Sequence, residues 1–530
     1  MPQEKVVEKN DLISLFFIFG VWLFIFLKSG IFNGGFNYFL DDHQILLCQD
    51  KCHSFGYIYI EPFSHPLEPN RFRPLYWVML RCFSGLYGLN PFTWYLSSFL
   101  IAVVTTCIFY FVARQNFWSK IEALLFALLT ILGHQASTYD RFGTPETTAM
   151  LFTALAFLCA SVSGRSKIWQ LAIDVLLIVF STLAALNKEA CILMLPALAV
   201  YKVWIAAKKN ELTFRQAVRS NFLIVAALLI IFGMCIGYIK VMGIAGPGYA
   251  GISLSTFAWF SYVKLFAHLV LNTSFALAVL INIWFIKEKW NRGQWRNFTF
   301  IGYYFVLACV VLPQIVLYST SGMNDHYLFP AVIGIAFSTI YPLVGLKGKY
   351  PAYFKIGLII VALIIAQHCF STFRHFKDVA NITGEMKALT DDLSRWAGSD
   401  RRVLVCGNPL FNNEALWGFR IAMEKMIKNH QTFLATYGSR NDMVATDCFK
   451  QDEAFWAFLD EGTVESWYGK NLFRKMSQKS RKDIQIIVLF SKDRLSETFL
   501  KTSAGWFNPK MFTYKDYNWL NIRVYHSVNL

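Results

Sequence analysis

"LISLFFIFGVWLFIFLKSGIFNGGFNYFLDD", Leu12 to Asp42, decides how the rest of the chain is read. The run from Leu12 to Leu27 carries no charged residue and, with its flanks, is long enough to cross a bilayer as a helix. Lys28 closes it, and a short loop rich in Gly and Asn leads to two adjacent carboxylates, Asp41 and Asp42. Adjacent carboxylates repel each other and hold water, so their place just beyond hydrocarbon calls for a cause.

The same pattern recurs along the chain. Of 530 residues, 55% are hydrophobic, 17% aromatic and only 16% charged, where a soluble protein would carry about 25% charged residues. The apolar excess falls in repeated blocks of roughly 17 to 25 residues, each of membrane-spanning length. The expected fold class is therefore mainly α: a polytopic helical membrane protein with a C-terminal soluble α/β domain. About eleven spans are expected, near 12–28, 91–113, 118–134, 147–163, 169–186, 190–207, 221–241, 257–286, 298–318, 327–346 and 354–372. The first block follows the acid-balanced "MPQEKVVEKND" and lacks a small-x-small cleavage site, so it reads as a retained span rather than a signal peptide. The eighth block is overlong, and its start, "TFAWFSYVKLF", is expected to lie along the interface. "RPLYWVMLRCFSGLYGLN", Arg73 to Asn90, is too short and interrupted to span and reads as an interfacial helix.

The formal charge of +16 suggests nucleic acid at first sight, but its distribution says topology. Alternate connections hold Arg114 and Lys120, Arg165 and Lys167, then Lys208, Lys209, Arg215 and Arg219. Further on they hold Lys287, Lys289, Arg292 and Arg296, then Lys347, Lys349 and Lys355. The opposite connections hold few cations, which is the positive-inside pattern with a cytoplasmic N-terminus. After about residue 373 the composition turns soluble, and a helical pattern leads into the strand candidate "RVLVCG", with "DIQIIVLF" a later one. The expected organisation is a transmembrane catalytic domain over 1–372, with its first extracytoplasmic loop at 29–90, and an extracytoplasmic α/β domain over 373–530. Of eleven cysteines, Cys107, Cys159, Cys191, Cys235, Cys309 and Cys369 lie in apolar blocks and read as packing residues. Cys48 with Cys52, and Cys406 with Cys448, fall in segments placed outside the cytosol, where disulfides persist. No Cys/His spacing suggests zinc.

On this topology the noncytoplasmic face collects Asp41, Asp42 and His43, then Arg71 and Arg73 of "EPNRFRPLYW". It also collects Asp140, Arg141 and Glu146 of "STYDRFGTPETT", Lys188 and Glu189 of "LNKEA", and Asn324, Asp325, His326 and Tyr327 of "SGMNDHYLFPA". Ionisable groups at membrane edges are costly and often functional. Each also has a structural alternative: a solvated cap for Asp41 and Asp42, lipid anchoring for Arg71 and Arg73, and local ion pairs for Lys188–Glu189 and Asp140–Arg141. For Asp325 and His326 the alternative is helix capping.

The order of these elements resembles the GT-C superfamily of integral membrane glycosyltransferases, which includes protein O-mannosyltransferases, aminoarabinose transferases and bacterial arabinofuranosyltransferases. The resemblance rests on the early acidic pair Asp41–Asp42, the Arg-Pro element "RFRPL", the turn "LNKEA" and the late loop "HYLFPA". It covers most of residues 1–370. His326 stands where the family often has Arg, and no "WWD"-type motif is present in the tail, which argues against an oligosaccharyltransferase.

The resemblance implies an inverting transferase that takes a sugar from a polyprenyl phosphate and passes it to an acceptor hydroxyl on the extracytoplasmic face. The acceptor would be a cell-envelope glycan, a lipid or a protein. A hydroxyl is a poor nucleophile until a base takes its proton, and Asp41 or Asp42 is the expected base. The leaving phosphate needs cations in a water-poor site, for which Arg71, Arg73, Lys188 and Arg141 are the candidates. His43, Asp140, Glu146, Glu189, Asp325, His326 and Tyr327 are expected around the substrates. The acids admit a divalent metal, but the cations make one unnecessary. The expected setting is a bacterial inner membrane, although a eukaryotic endoplasmic reticulum membrane would present the same pattern, with membrane lipids as neighbours and no nucleic acid. A transporter or flippase of a lipid-linked saccharide is the rival class; it should show charges buried mid-span or related halves. A non-sugar outer-leaflet transferase would want a metal cluster or nucleophile arrangement that is not evident.

Overall fold

The computed structural model describes residues 9–37, 42, 45–46, 72–116, 118–164, 166–241, 259–321, 329–407, 415, 418–419, 421–429, 432–436, 484–490 and 511–528. Helix α1 (Lys9–Ser29) is the first apolar block, and α2 (Pro74–Tyr87) is the short helix expected at the interface. There follow α3 (Pro91–Gln115), α4 (Lys120–Ile131), α5 (Pro145–Ser161), α6 (Lys167–Asn187), α7 (Met194–Asn210) and α8 (Phe222–Val241). The set closes with α9 (Trp259–Asn272), α10 (Phe275–Asn291), α11 (Phe298–Ser321), α12 (Phe329–Leu346) and α13 (Pro351–Ala397).

All the stretches expected to span are helical, but not all are long. Among the described residues, eight helices are long and apolar enough to cross a membrane, and up to nine if the bent pair formed by α9 and α10 is one span. That pair meets at 91°. α5 has only 17 residues and α4 only 12. The cause is the polar turn between them: Gly133 adopts φ +110°, open to glycine, and a 3₁₀ turn over His134–Thr138 replaces the last turns of a span. Leu223, Ile230, Ile359 and Phe370 are exposed on the outer surface, as lipid-facing side chains must be. The chain is an integral membrane protein.

Charge sorts the two ends of the bundle. At one end Arg114 Nε lies 3.1 Å from Asp11 Oδ1, and Lys347 Nζ lies 2.9 Å from Glu122 Oε1. At the same end Arg292 Nε and Lys349 Nζ lie 2.6 and 2.8 Å from Glu288 Oε1. This basic end holds the connections that carry the Lys and Arg excess. One further ion pair sits inside the spans: Lys202 Nζ of α7 lies 3.1 Å from Asp174 Oδ1 of α6. Pairing is what makes charge tolerable there.

Helix α13 has 47 residues, which at 1.5 Å each makes about 70 Å, more than twice the hydrocarbon thickness of about 30 Å. It runs unbroken across position 373, where no Pro or Gly lies between Gly357 and Gly384. Its membrane half packs on α1 through Phe376, whose ring centroid lies 5.1 Å from that of Phe26. Its outer half seats the first loop: Gly35 N–H donates to Thr383 O at 3.2 Å, and a Cβ at Gly34 would meet Thr383 Oγ1 at 2.3 Å. Gly35 sits where two backbones meet, since a Cβ there would lie 3.0 Å from Thr383 O.

Beyond α13 lies one mixed sheet: β1 (Arg402–Gly407), β2 (Thr432–Thr436), β3 (Ile484–Phe490), β4 (Phe512–Tyr517) and β5 (Ile522–Ser527). Its order is β2-β1-β3-β5-β4, with β1 parallel to both neighbours and β5 antiparallel to β3 and β4. The strands read from "RVLVCG" and "DIQIIVLF" are its centre. Cys82, Cys107, Cys159, Cys191, Cys235, Cys309 and Cys369 are free thiols. Cys48, Cys52 and Cys448 lie outside the described residues, as does the side chain of Cys406.

The sheet docks on α13 through two carboxylates. Glu385 accepts the backbone N–H groups of Asn518, Trp519 and Leu520 at 3.2, 2.7 and 3.2 Å. Asp392 is buried and accepts from Lys515, Tyr517 and Arg395. Burial alone would raise its pKa, but the bonds from Lys515 and Tyr517 win and hold it below the usual carboxylate value. A depressed folded pKa stabilises above the unfolded value and loses that contribution as pH falls. Amide exchange of residues 512–527, corrected for intrinsic rates, should therefore stay protected above about pH 4 and rise below it. Asp392→Asn should remove the step; an unchanged acid step in that variant would assign it to another group.

Candidate active site at the non-basic end

The end opposite the basic connections gathers ionisable residues from distant parts of the chain. Pro74 opens α2, and the residue before a proline is driven out of the helical basin; Arg73 accordingly caps α2 at φ −139°, ψ 52°. Its side chain is buried and points at the third connection, where Nε donates to Glu189 Oε1 and Oε2 at 3.0 and 2.9 Å. The turn "LNKEA" breaks the helical path at Lys188, which is extended at φ −143°, ψ 129°, before the single turn Glu189–Ile192 and then α7. Asn187 is held from the side by donating to Thr148 Oγ1 at 2.6 Å. The break aims Lys188 at Glu146, with which it forms a buried ion pair.

Glu146 owes its position to the second connection. Pro145 starts α5, and an acid in a first helical turn is favoured by the exposed N–H groups there. Gly143 takes φ +60° just before it, and a Cβ there would meet Leu80 Cδ1 at 2.5 Å. Thr138, Thr144 and Thr147 bond to one another, with Thr144 Oγ1 and Thr147 Oγ1 3.1 and 2.7 Å from Thr138 O. This lattice fixes the segment that carries Asp140 and Arg141.

Asp140 is buried, with His375 Nε2 of α13 at 2.7 Å from Oδ2 and Arg141 Nε at 4.0 Å from Oδ1. Arg141 lines a small cavity with Tyr76, Leu80, Trp94, Thr147 and Thr148. Asp42 is also buried, not solvated, and its Oδ2 accepts the backbone N–H of Asn37 at 2.6 Å. Asp42 and Asp140 both lie within electrostatic reach of buried Tyr95, whose hydroxyl donates to Gly35 O at 3.3 Å. The tertiary contacts therefore bring together Arg73 with Glu189, Glu146 with Lys188, and Asp42 and Asp140 around Tyr95. Asp41, His43, Arg71, Asp325, His326 and Tyr327 lie outside the described residues, although Ser321 and Phe329, which bracket the last three, end α11 and begin α12.

No family model and no curated protein sequence matches the chain. Among solved structures, it is similar to ArnT from Cupriavidus metallidurans bound to undecaprenyl phosphate. Identity is 13%, 97% of this chain and 97% of that chain are covered, and the TM-score is 0.49. Against the same protein in the apo state the identity is 14%, the coverage 96% and 97%, and the TM-score 0.48.

The electrostatics are those of compensated pairs. A buried cation without a partner would cost several kcal/mol, and here Glu189 and Glu146 supply the partners. Arg141 is the least compensated of the described candidate cations, since 4.0 Å is the limit of an ion contact. No group of three His, Cys, Asp or Glu able to hold a metal is present among the described residues. His375 and Thr383 escaped the sequence reading because the span was taken to end near 372; the absence of any Pro or Gly between Gly357 and Gly384 was the available signal.

Proposed function

We propose that the chain is an inverting glycosyltransferase of the GT-C kind, which takes a sugar from a polyprenyl phosphate and attaches it to an acceptor hydroxyl. The observation that supports this reading best is the convergence of buried Asp42, Arg73, Asp140, Glu146 and Lys188 at one end of a membrane bundle. A water-poor site of mixed charge suits a reaction in which a neutral hydroxyl becomes an oxygen nucleophile while a phosphate departs.

In this reading a first-loop carboxylate, Asp42 or Asp41, takes the acceptor proton as the acceptor oxygen bonds to the anomeric carbon from behind. The bond from that carbon to phosphate oxygen breaks, and the electron pair leaves with the polyprenyl phosphate. Arg71, Arg73, Lys188 and Arg141 are assigned to the phosphate, with arginine suited to bidentate contact. Glu146 and Glu189 hold Lys188 and Arg73 in place between turnovers, and Asp140 with His375 orients the segment that carries Arg141. His43, Asp325, His326 and Tyr327 are assigned to the sugar or acceptor. The setting is a bacterial inner membrane with the site and the sheet outside the cytosol, since the basic end carries the positive-inside signature.

A density map of the full chain with a polyprenyl-phosphate analogue tests this directly. The phosphate is expected within contact of Arg71, Arg73, Lys188 or Arg141, with a first-loop acid opposite. A phosphate seated only among the basic connections at the other end would overturn the assignment.

A further inference from the structure

The basic end contains a second chamber that sugar transfer does not use. α7 begins six residues after Lys188 and carries Lys208 near its finish, and its 17 residues make about 25 Å. There a cavity of about 220 Å³ opens between the ends of α3, α7, α10 and α12 and the connection from α10 to α11. Lys208 and Lys289 line it, with Asn116, Gln294, Asn297 and Thr299, and no carboxylate is among its described lining residues.

The two ammonium groups are held by neutral neighbours. Lys208 Nζ sits 5.1 Å from the ring centroid of Trp204 and 4.8 Å from that of Tyr341. Lys289 Nζ donates to Gln294 Oε1 at 2.9 Å, and an ammonium keeps further donors. The nearby acid, Glu288, is occupied by Arg292, Lys349 and Tyr350 at 2.6, 2.8 and 3.0 Å. An acceptor is also left over. Buried Asn116 donates through Nδ2 to Val112 O and Tyr201 Oη at 2.9 and 3.0 Å, while its Oδ1 has no hydrogen-bond partner. Reversing the amide would set its oxygen against a carbonyl, so Oδ1 stays the buried, unpaired atom.

We infer that this chamber binds a phosphate group, its anionic oxygens on Lys208 and Lys289. Two compact cations on the walls of a polar cavity make a point-charge phosphate site, and its depth at a helix-end layer suits a lipid headgroup as well as a free phosphate. This inference does not depend on the transfer reaction at the other end.

The test uses the full chain in a neutral sugar detergent, titrated calorimetrically with inorganic phosphate and with dihexanoyl phosphatidylglycerol. At least one should bind, and Lys208→Gln with Lys289→Gln should weaken binding by about tenfold or more, as loss of charge-assisted bonds requires. Binding of phosphatidylglycerol that millimolar phosphate does not displace assigns a lipid headgroup; binding of phosphate alone, sensitive to the same variants, assigns a free phosphate. No binding of either, or binding unchanged in the double variant, overturns the site. Should the variants fail to fold, acetylation of the unmutated protein decides. Lys208 and Lys289 should be labelled more slowly with the ligand present, and unchanged labelling at both rejects the proposal.

Discussion

Asp42→Asn is expected to lower sugar transfer by about 10²–10⁴-fold, the range that a positioned general base supplies, in a chain that still folds. The carboxylate is buried and already spends Oδ2 on the backbone N–H of Asn37 at 2.6 Å. Asparagine keeps an oxygen of the same reach for that bond, so the loop retains its anchor. It has no lone pair basic enough to take a proton from an alcohol. Incorporation of labelled sugar into membranes carrying the variant measures the effect, and thermal unfolding checks the fold. Asp41→Asn is the companion, because the neighbouring acid is the other candidate. Wild-type rates in both variants would remove the first loop from the chemistry.

The second large effect is expected at Lys188, where stability and activity separate. Lys188→Met leaves Glu146 as a buried carboxylate without its ammonium, and breaking a buried pair costs about 3–5 kcal/mol. The double variant Lys188→Met with Glu146→Leu removes both charges and should regain most of that stability, since apolar replacements of buried pairs are often neutral or better. Activity should not return with it, because the proposed phosphate contact is still missing. Thermal unfolding of the two variants beside their transfer rates reads both quantities. A double variant that is stable and fully active would reduce the pair to a structural tie between α5 and the turn after α6.

Much of the architecture was legible because the bilayer imposes its own length and polarity on a sequence. Helix positions followed from apolar runs. The basic end followed from Lys and Arg counted by connection. What escaped was the continuation of α13, since a helix leaving the membrane turns polar without changing its backbone period. With it escaped His375 beside Asp140 and Thr383 beneath Gly34. The short length of α4 and α5 was also hidden, because Gly133 and the polar turn at His134–Thr138 follow an apolar run that composition alone extends.

Pairing was the least legible feature. "LNKEA" suggested an ion pair between adjacent Lys188 and Glu189, and "YDRF" one between Asp140 and Arg141. In the fold Lys188 turns to Glu146 and Glu189 to Arg73, while Asp140 faces His375 as well as its neighbour. Residues adjacent in sequence point in different directions once an extended residue stands between two helices, so adjacency is a poor guide to partnership.

By itself, then, the order of residues determined a helical membrane protein with a basic end, an acidic first loop and a strand-bearing tail. Those properties depend on hydrophobicity and charge, which are summed over local stretches. Only the tertiary structure decided which charges meet. Partner choice depends on where helices break and cross, and Pro74, Gly143 and the extended Lys188 set those directions through contacts between segments far apart in the chain.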